Sequence, residues 1–96
     1  MSLKEFSVNG KKYCGFEGEL SPGSSLVFIK GSRGFIMCGY LNLETAERMN
    51  NIAAIATGVK TVEDMLGKNI VNSTSKAQEI GIIPGISVLE ALEKIN

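Results

Sequence analysis

The chain has 96 residues, of which 44% are hydrophobic and 21% charged, a composition typical of a globular domain with one core. Ten basic and ten acidic residues give zero net charge, so no overall field attracts nucleic acid or anionic lipid. There is no histidine, which excludes Ser-His-Asp and Cys-His catalysis within this chain. With only Cys14 and Cys38 as thiols, we predict no metal and no cofactor.

Features of targeting and export are also missing from the sequence. No apolar run approaches the roughly 18 residues needed to cross a bilayer. The N-terminal MSLKEFSV lacks the basic and apolar regions of a signal peptide. We therefore expect a cytoplasmic protein that does not bind membranes and whose two cysteines are reduced.

Two β-hairpins are predicted in the first 40 residues. The first joins LKEFSV (3–8) to KKYCGFE (11–17) through Asn9-Gly10, a dipeptide that tolerates the positive φ angles of a tight turn. The second joins LVFIK (26–30) to FIMCG (35–39). Apolar residues occupy both faces of this second hairpin instead of alternating with polar ones, so both of its faces need cover.

Helix signals dominate the remainder. Asn42 is a candidate N-cap for a long helix from about Leu43 to Ala56, whose second half (IAAIA) is apolar all round and should be buried. The segments 61–64 and 87–90 each place a hydroxyl at the N-cap and an acid three residues later, which predicts two shorter helices.

Between those two helices, NIVN (69–72) is typical of a short strand. The following STSKAQEIG predicts one or two helical turns that begin at Thr74 or Ser75 and end at Gly81.

This order of elements predicts an α+β fold in a single domain of residues 1–96. The N-terminal hairpins form a mixed sheet, and one long helix with several short ones covers one face of it. Residues 1–40 are mostly β and residues 41–96 mostly α. Too little chain remains to cover the other face, so we expect another copy of the protein to do so, with residues 1–40 as the oligomerisation region.

Three segments together resemble a known family: RGFIMCGYLN, ATGVKTVEDML and the tail AQEIGIIPGISVLEALEKI. The pattern is similar to the YunC-like family of bacterial and archaeal domains of unknown function, over nearly all of residues 25–95. The resemblance implies an α+β domain whose N-terminal β region mediates tetramer formation. It implies no reaction, substrate or cofactor.

The predicted turn from strand to helix at residues 38–42 holds the main site candidates. Cys38 would lie near unpaired backbone N–H groups that favour a thiolate, and it is the one candidate catalytic residue. Gly39 would let a ligand approach the backbone, and Tyr40 and Asn42 could bind it. Packing is nevertheless the favoured interpretation of Cys38, since free cysteine is among the most buried residue types and the chain has no histidine to activate the sulfur.

Two further residues are weaker binding candidates. Asn50 is an amide on the apolar stripe of the predicted long helix, where it needs a hydrogen-bond partner or a ligand. Lys60 lies in a loop and could act as a base if it were desolvated. The KGSRG loop (30–34) could cradle phosphate, but it lacks a P-loop ending and precedes a strand, which favours a plain turn.

These observations leave three classes of function open. The leading hypothesis is a homo-oligomeric binding or interaction domain. The second is a small-molecule site or a thiol-dependent enzyme at residues 38–42. Nucleic-acid binding through Lys11, Lys12, Lys30 and Arg33 ranks last, because the chain carries no net positive charge.

Overall fold

A six-stranded sheet forms the centre of the molecule, with its strands in sequence order from edge to edge. The computed structural model describes residues 2–96. The strands are β1 (Ser2–Val8), β2 (Lys11–Ser21), β3 (Ser24–Lys30), β4 (Gly34–Met37), β5 (Ile52–Ile55) and β6 (Asn72–Ser73). The helices are α1 (Leu43–Arg48), α2 (Val62–Leu66), α3 (Ser75–Glu79) and α4 (Val88–Lys94). This architecture confirms the predicted α+β class.

Both predicted hairpins are present. β1 and β2 pair through a turn in which Asn9 and Gly10 have φ angles of 51° and 80°, as the sequence predicted. β2, β3 and β4 continue the antiparallel meander. β4 then pairs with β5 in parallel, and β5 pairs with β6 antiparallel, so the sheet is mixed.

Helices lie on both faces of the sheet, unequally. The main core lies on one face, where α2, α3 and α4 bury residues such as Ile29, Ile36 and Leu92 against the strands. A second, smaller core lies on the opposite face, where Ala46 of α1 packs against Met37 and Ala53. No helix within residues 2–96 has both the length and the apolar composition to cross a membrane.

The predicted long helix from Leu43 to Ala56 is wrong. α1 ends at Arg48 in a Schellman motif: Asn50 N–H donates to Glu47 O at 3.1 Å, and Asn51 N–H donates to Ala46 O at 3.0 Å. Asn50 adopts the left-handed conformation that this motif requires, with φ of 58°. The IAAI segment that follows is not helix but strand β5.

The physical reason for this error is that a buried helix and a central strand both give a continuous run of apolar residues in the sequence, so the pattern does not distinguish them. β5 lies between β4 and β6, with α1 on one face and α3 on the other. Ala53 and Ala54 are only 1% and 0% exposed, so the apolar run reflects cover on both faces of the sheet.

The predicted helix starts at Thr61 and Ser87 are confirmed. Each hydroxyl accepts a hydrogen bond from the amide three residues later, at 3.0 and 3.1 Å. The first amide of α2, that of Val62, donates to Glu17 Oε1 of β2 at 3.0 Å. This hydrogen bond, with Lys4 nearby, lowers the pKa of Glu17 below its usual value of 4.5.

The secondary structure around α3 largely agrees with the prediction from the sequence. The strand expected at 69–72 is instead the two-residue β6, which begins at the last predicted position and ends one residue beyond it. Thr74 is the N-cap of α3, and Gly81, with φ of 92°, follows its end as predicted. Thr74 Oγ1 accepts from Ala77 N at 3.2 Å and from Ala53 N at 3.2 Å, and it donates to Asn51 O at 2.7 Å. One buried hydroxyl therefore joins α3, β5 and the turn before β5.

Replacing this hydroxyl tests its role in the fold. We expect Thr74→Val to lower the free energy of unfolding by about 2–4 kcal/mol, because buried groups in all three elements lose their partner. Thr74→Ser keeps the hydroxyl and should cost about 1 kcal/mol for the lost methyl group. Urea denaturation followed by circular dichroism measures both. Equal losses in the two variants would contradict the assignment.

Candidate functional site

A pocket of about 380 Å³ opens where the parallel strands β4 and β5 end. In open α/β sheets, ligands bind in the crevice beyond the carboxyl ends of the parallel strands, and this pocket has the same position relative to its one parallel pair. The loops after β4 and β5 and the start of β3 surround this opening. We call it the strand-end pocket, and its principal lining residues are Ser24, Ser25, Cys38, Gly39, Tyr40, Thr57, Gly58 and Lys60.

The strand-end pocket brings together several predicted site residues that are distant in sequence. Cys38, Gly39 and Tyr40 follow β4, and Lys60 follows β5. Asn42 does not belong to this pocket: its side chain accepts from Thr45 N at 3.1 Å, as the predicted N-cap of α1. Asn50 lies beyond the other end of α1, in a different pocket.

Cys38 is buried, with 2% of its surface exposed. Its amide donates to Val27 O at 3.0 Å, as in a continuing strand, but its carbonyl accepts from Leu41 N in the turn at 3.2 Å. The amide of Val27 instead donates to Cys38 Sγ at 3.4 Å. The sulfur thus substitutes for the backbone acceptor at the point where β4 leaves the sheet. A nucleophilic role for Cys38 stays a prediction.

Gly39 has no internal structural reason to be glycine. It is not among the residues with positive φ, and an added Cβ would lie 3.5 Å from the nearest side chain, an ordinary contact. By contrast, a Cβ on Gly15 of β2 would lie 2.8 Å from Val62 Cγ2 and would push α2 away. The missing side chain at Gly39 therefore leaves space in the pocket without serving the fold.

Polar donors surround this space. Within residues 2–96, the backbone amides of Gly39, Tyr40 and Gly58 donate to no protein acceptor in the structure. Lys60 is the one charged residue among the described residues of the lining, and no carboxylate belongs to that lining. Tyr40 is 59% exposed, so its ring and hydroxyl are accessible to a ligand. The arrangement suits a small polar molecule, with Lys60 and Tyr40 as its possible proton donors.

Sequence reasoning missed the contribution of the loop after β5. Because residues 52–56 were assigned to a helix, Thr57 and Gly58 were not placed next to Gly39. Gly58 has φ of 74°, and the dipeptide Thr-Gly after an apolar run was the available signal of a turn. Ser24 and Ser25 reach the pocket because β3 is antiparallel to β4 and begins where β4 ends.

A second feature is an apolar row across the sheet on the face opposite the main core. Leu3, Phe16, Phe28 and Met37 are successive cross-strand neighbours on β1 to β4. The rings of Phe16 and Phe28 stack at 5.2 Å. Met37 is buried by α1, but Leu3 is 72% exposed, and Phe16 and Phe28 are half-buried. The part of the row on β1 to β3 thus lies outside the cover of α1.

The basic residues predicted for nucleic-acid binding lie in different elements of the fold. Lys11 pairs with Glu93 at 3.3 Å, whereas Lys30 and Arg33 lie at the loop between β3 and β4. Nucleic-acid binding stays a prediction. Among residues 2–96, no cluster of three or more His, Cys, Asp or Glu side chains has a geometry for a metal ion.

The fold and its pockets define a small α+β domain with a mixed sheet, an uncovered apolar row and a pocket at the ends of its parallel strands. Residues 37–95 match the family model described as "Domain of unknown function (DUF1805)". The chain therefore belongs to the DUF1805 family, in agreement with the resemblance seen in its sequence.

Two relatives are similar over nearly the whole chain. The "Uncharacterized protein YunC" of Bacillus subtilis (strain 168) is 27% identical, across 99% of this chain and 97% of its own length. The crystal structure of TA1206, a protein of unknown function from Thermoplasma acidophilum, is 39% identical and superposes with a TM-score of 0.94. That likeness covers 99% of this chain and 92% of TA1206.

The acceptor role of the Cys38 sulfur can be tested by substitution. We expect Cys38→Ala to lower the free energy of unfolding by about 1–3 kcal/mol, because the buried amide of Val27 loses its partner. Cys38→Ser retains an acceptor and should cost less than Cys38→Ala. Chemical denaturation under reducing conditions gives both values. A serine variant as unstable as the alanine variant would show that the sulfur acts by packing alone.

Proposed function

We propose that this protein is a cytoplasmic homo-oligomeric interaction domain that assembles through the apolar row on β1 to β3. The observation that carries the proposal is that Leu3, Phe16 and Phe28 form a continuous apolar strip without a helix to cover it. Exposed apolar patches of this kind mark association surfaces. The strip lies in residues 1–40, the region that the sequence predicted for oligomerisation.

The geometry of the strip suits a symmetric contact between identical chains. Twofold symmetry places the same patch of both copies face to face, so the stacked rings of Phe16 and Phe28 would meet their counterparts. The edge strand β1 carries Leu3 beside the charged residues Lys4 and Glu5, and such charges oppose unlimited edge-to-edge pairing. A closed assembly satisfies both features: the strip pairs two copies, and the tetramer that the family resemblance implied needs a second contact between such pairs.

Light scattering coupled to size-exclusion chromatography tests this assembly. We expect a mass near four times the 10.3 kDa of one chain. Leu3→Glu should shift the protein to a smaller species, because a carboxylate would be buried without a partner in the contact. Leu89→Glu, a matched change at a 44% exposed leucine of α4, should leave the mass unchanged. A wild-type monomer at micromolar concentration would refute the proposal.

A second candidate function is small-molecule binding in the strand-end pocket. It is favoured by the convergence of Cys38, Gly39 and Tyr40 with Lys60 from a separate loop. The free amides and the lysine favour a small polar ligand that carries an oxyanion, such as a carboxylate or a phosphate. A thiol-dependent reaction is the further version of this candidate. It would require the ligand to reach the buried Cys38 sulfur past Gly39.

Glycine-to-alanine substitutions separate binding from folding at this site. We expect glycolate or glycerol 3-phosphate to cause saturable amide chemical-shift changes at Gly39, Tyr40 and Gly58. Gly39→Ala should weaken them, because its methyl group would lie where the ligand approaches the backbone, and stability should change little, because its Cβ meets only an ordinary contact. Gly67→Ala is the matched control: its Cβ would lie 3.7 Å from the nearest atom, outside the lining. Shifts with the same affinity in Gly39→Ala as in the wild type would exclude this pocket as their source.

A further inference from the structure

A second, larger pocket of about 500 Å³ lies on the face that carries the apolar row. It is bounded by the KGSRG loop between β3 and β4 and by the turn between α1 and β5. We call it the loop pocket. Gly34 and Ile52, its lining residues at the starts of β4 and β5, place it at the amino ends of the parallel strands. The strand-end pocket lies at their carboxyl ends, so the two pockets are separate.

The walls of the loop pocket are apolar. Phe28 and Phe35 contribute aromatic surface from β3 and β4, and Leu41 and Ile52 contribute aliphatic surface. Phe28, Phe35 and Leu41 are half-buried, so part of each side chain stays accessible, whereas Ile52 packs mainly against the main core. Sites for small organic molecules have this character: concave, mainly apolar, and a few hundred cubic ångströms in volume.

The polar groups at its border have one sign of charge. Lys30 and Arg33 line the loop pocket, and none of the described residues in its lining carries a carboxylate. The ion pairs found within residues 2–96 involve Lys4 and Lys11. Lys30 and Arg33 therefore have no ionic partner among those residues. Glu5 lies two strands from Lys30 on the same face and makes no ion pair with it.

The turn after α1 adds two primary amides. Asn50 and Asn51 also line the pocket, and their backbone geometry is held by the Schellman motif that ends α1. Because the motif uses only their backbone N–H groups, the side chain of Asn50, an exposed residue, remains free to bind a ligand. The binding candidate Asn50 therefore lies beside the KGSRG loop, for which the sequence favoured a plain turn. The sequence placed them in unrelated elements.

We propose that the loop pocket binds a small organic anion with an apolar body, such as an aromatic carboxylate. The apolar body would lie against Phe28, Phe35 and Leu41, and the anionic group would face Arg33 and Lys30. Arginine suits a carboxylate because its planar guanidinium donates two parallel hydrogen bonds. Inorganic phosphate fits poorly, since it would leave the apolar walls without a partner.

A pair of probes that differ in charge tests this inference. We expect 2-naphthoate to bind about tenfold more tightly than the neutral 2-naphthylmethanol, since a charge-assisted hydrogen bond has that effect. Isothermal titration calorimetry at low ionic strength measures both affinities. The double variant Lys30→Gln/Arg33→Gln should lose the preference for the anion while it still binds the alcohol. The backbone hydrogen bond from Arg33 N to Ile95 O is unaffected by this change, so the loop should keep its conformation.

Two further variants complete the experiment. Lys68→Gln/Lys76→Gln removes the same amount of charge outside the loop pocket and should keep the preference for the anion. Leu41→Ala should lower the affinity of both probes by a similar factor, because it removes part of the apolar wall and no charge. The proposal is overturned if 2-naphthoate shows no saturable binding at millimolar concentration, if the alcohol binds equally well, or if the Lys30/Arg33 variant keeps the preference.

Discussion

The parallel pairing of β4 with β5 is the constraint on which the rest of this structure depends. Parallel strands require the chain to return to the end of the sheet at which the first strand began. α1 with its flanking turns provides that connection between β4 and β5. The return succeeds because α1 stops at Arg48, where Asn50 takes a left-handed conformation. Thr74 then fixes β5 by bonding the turn before it, the strand itself and α3 with one hydroxyl.

Both candidate pockets follow from this pairing. At the carboxyl ends of the two strands the chain leaves the sheet, and Gly39 and Gly58 line the same pocket. At the amino ends, the KGSRG loop meets the turn that ends α1. The short α1 also leaves the apolar row on β1 to β3 uncovered, since a six-residue helix covers little beyond β4 and β5. Binding in the strand-end pocket would thus use a different part of the sheet from self-association, whereas the loop pocket shares Phe28 with the apolar row.

The accuracy of sequence-based prediction varied with the range of the interaction. Turn and cap residues interact only with the few residues next to them, and their roles were predicted correctly. They are Asn9-Gly10, Thr61, Ser87 and Gly81. Residues 52–55 were misassigned because cover on both faces is a tertiary property that leaves no periodicity in the sequence. Because of the same error, Thr57 and Gly58 were not predicted to line the strand-end pocket, and Asn50 was not predicted to lie near Arg33.

What the sequence by itself determined is the set of local elements, the α+β class and an excess of apolar strand surface, because turns, caps and composition act over short distances. The tertiary structure alone decided which loops meet. It buried the Cys38 sulfur as an acceptor for Val27, it brought Lys60 to Gly39, and it placed Asn50 beside Lys30 and Arg33. Those contacts depend on strand order and on the parallel register of β4 and β5, which come from packing across the whole sheet.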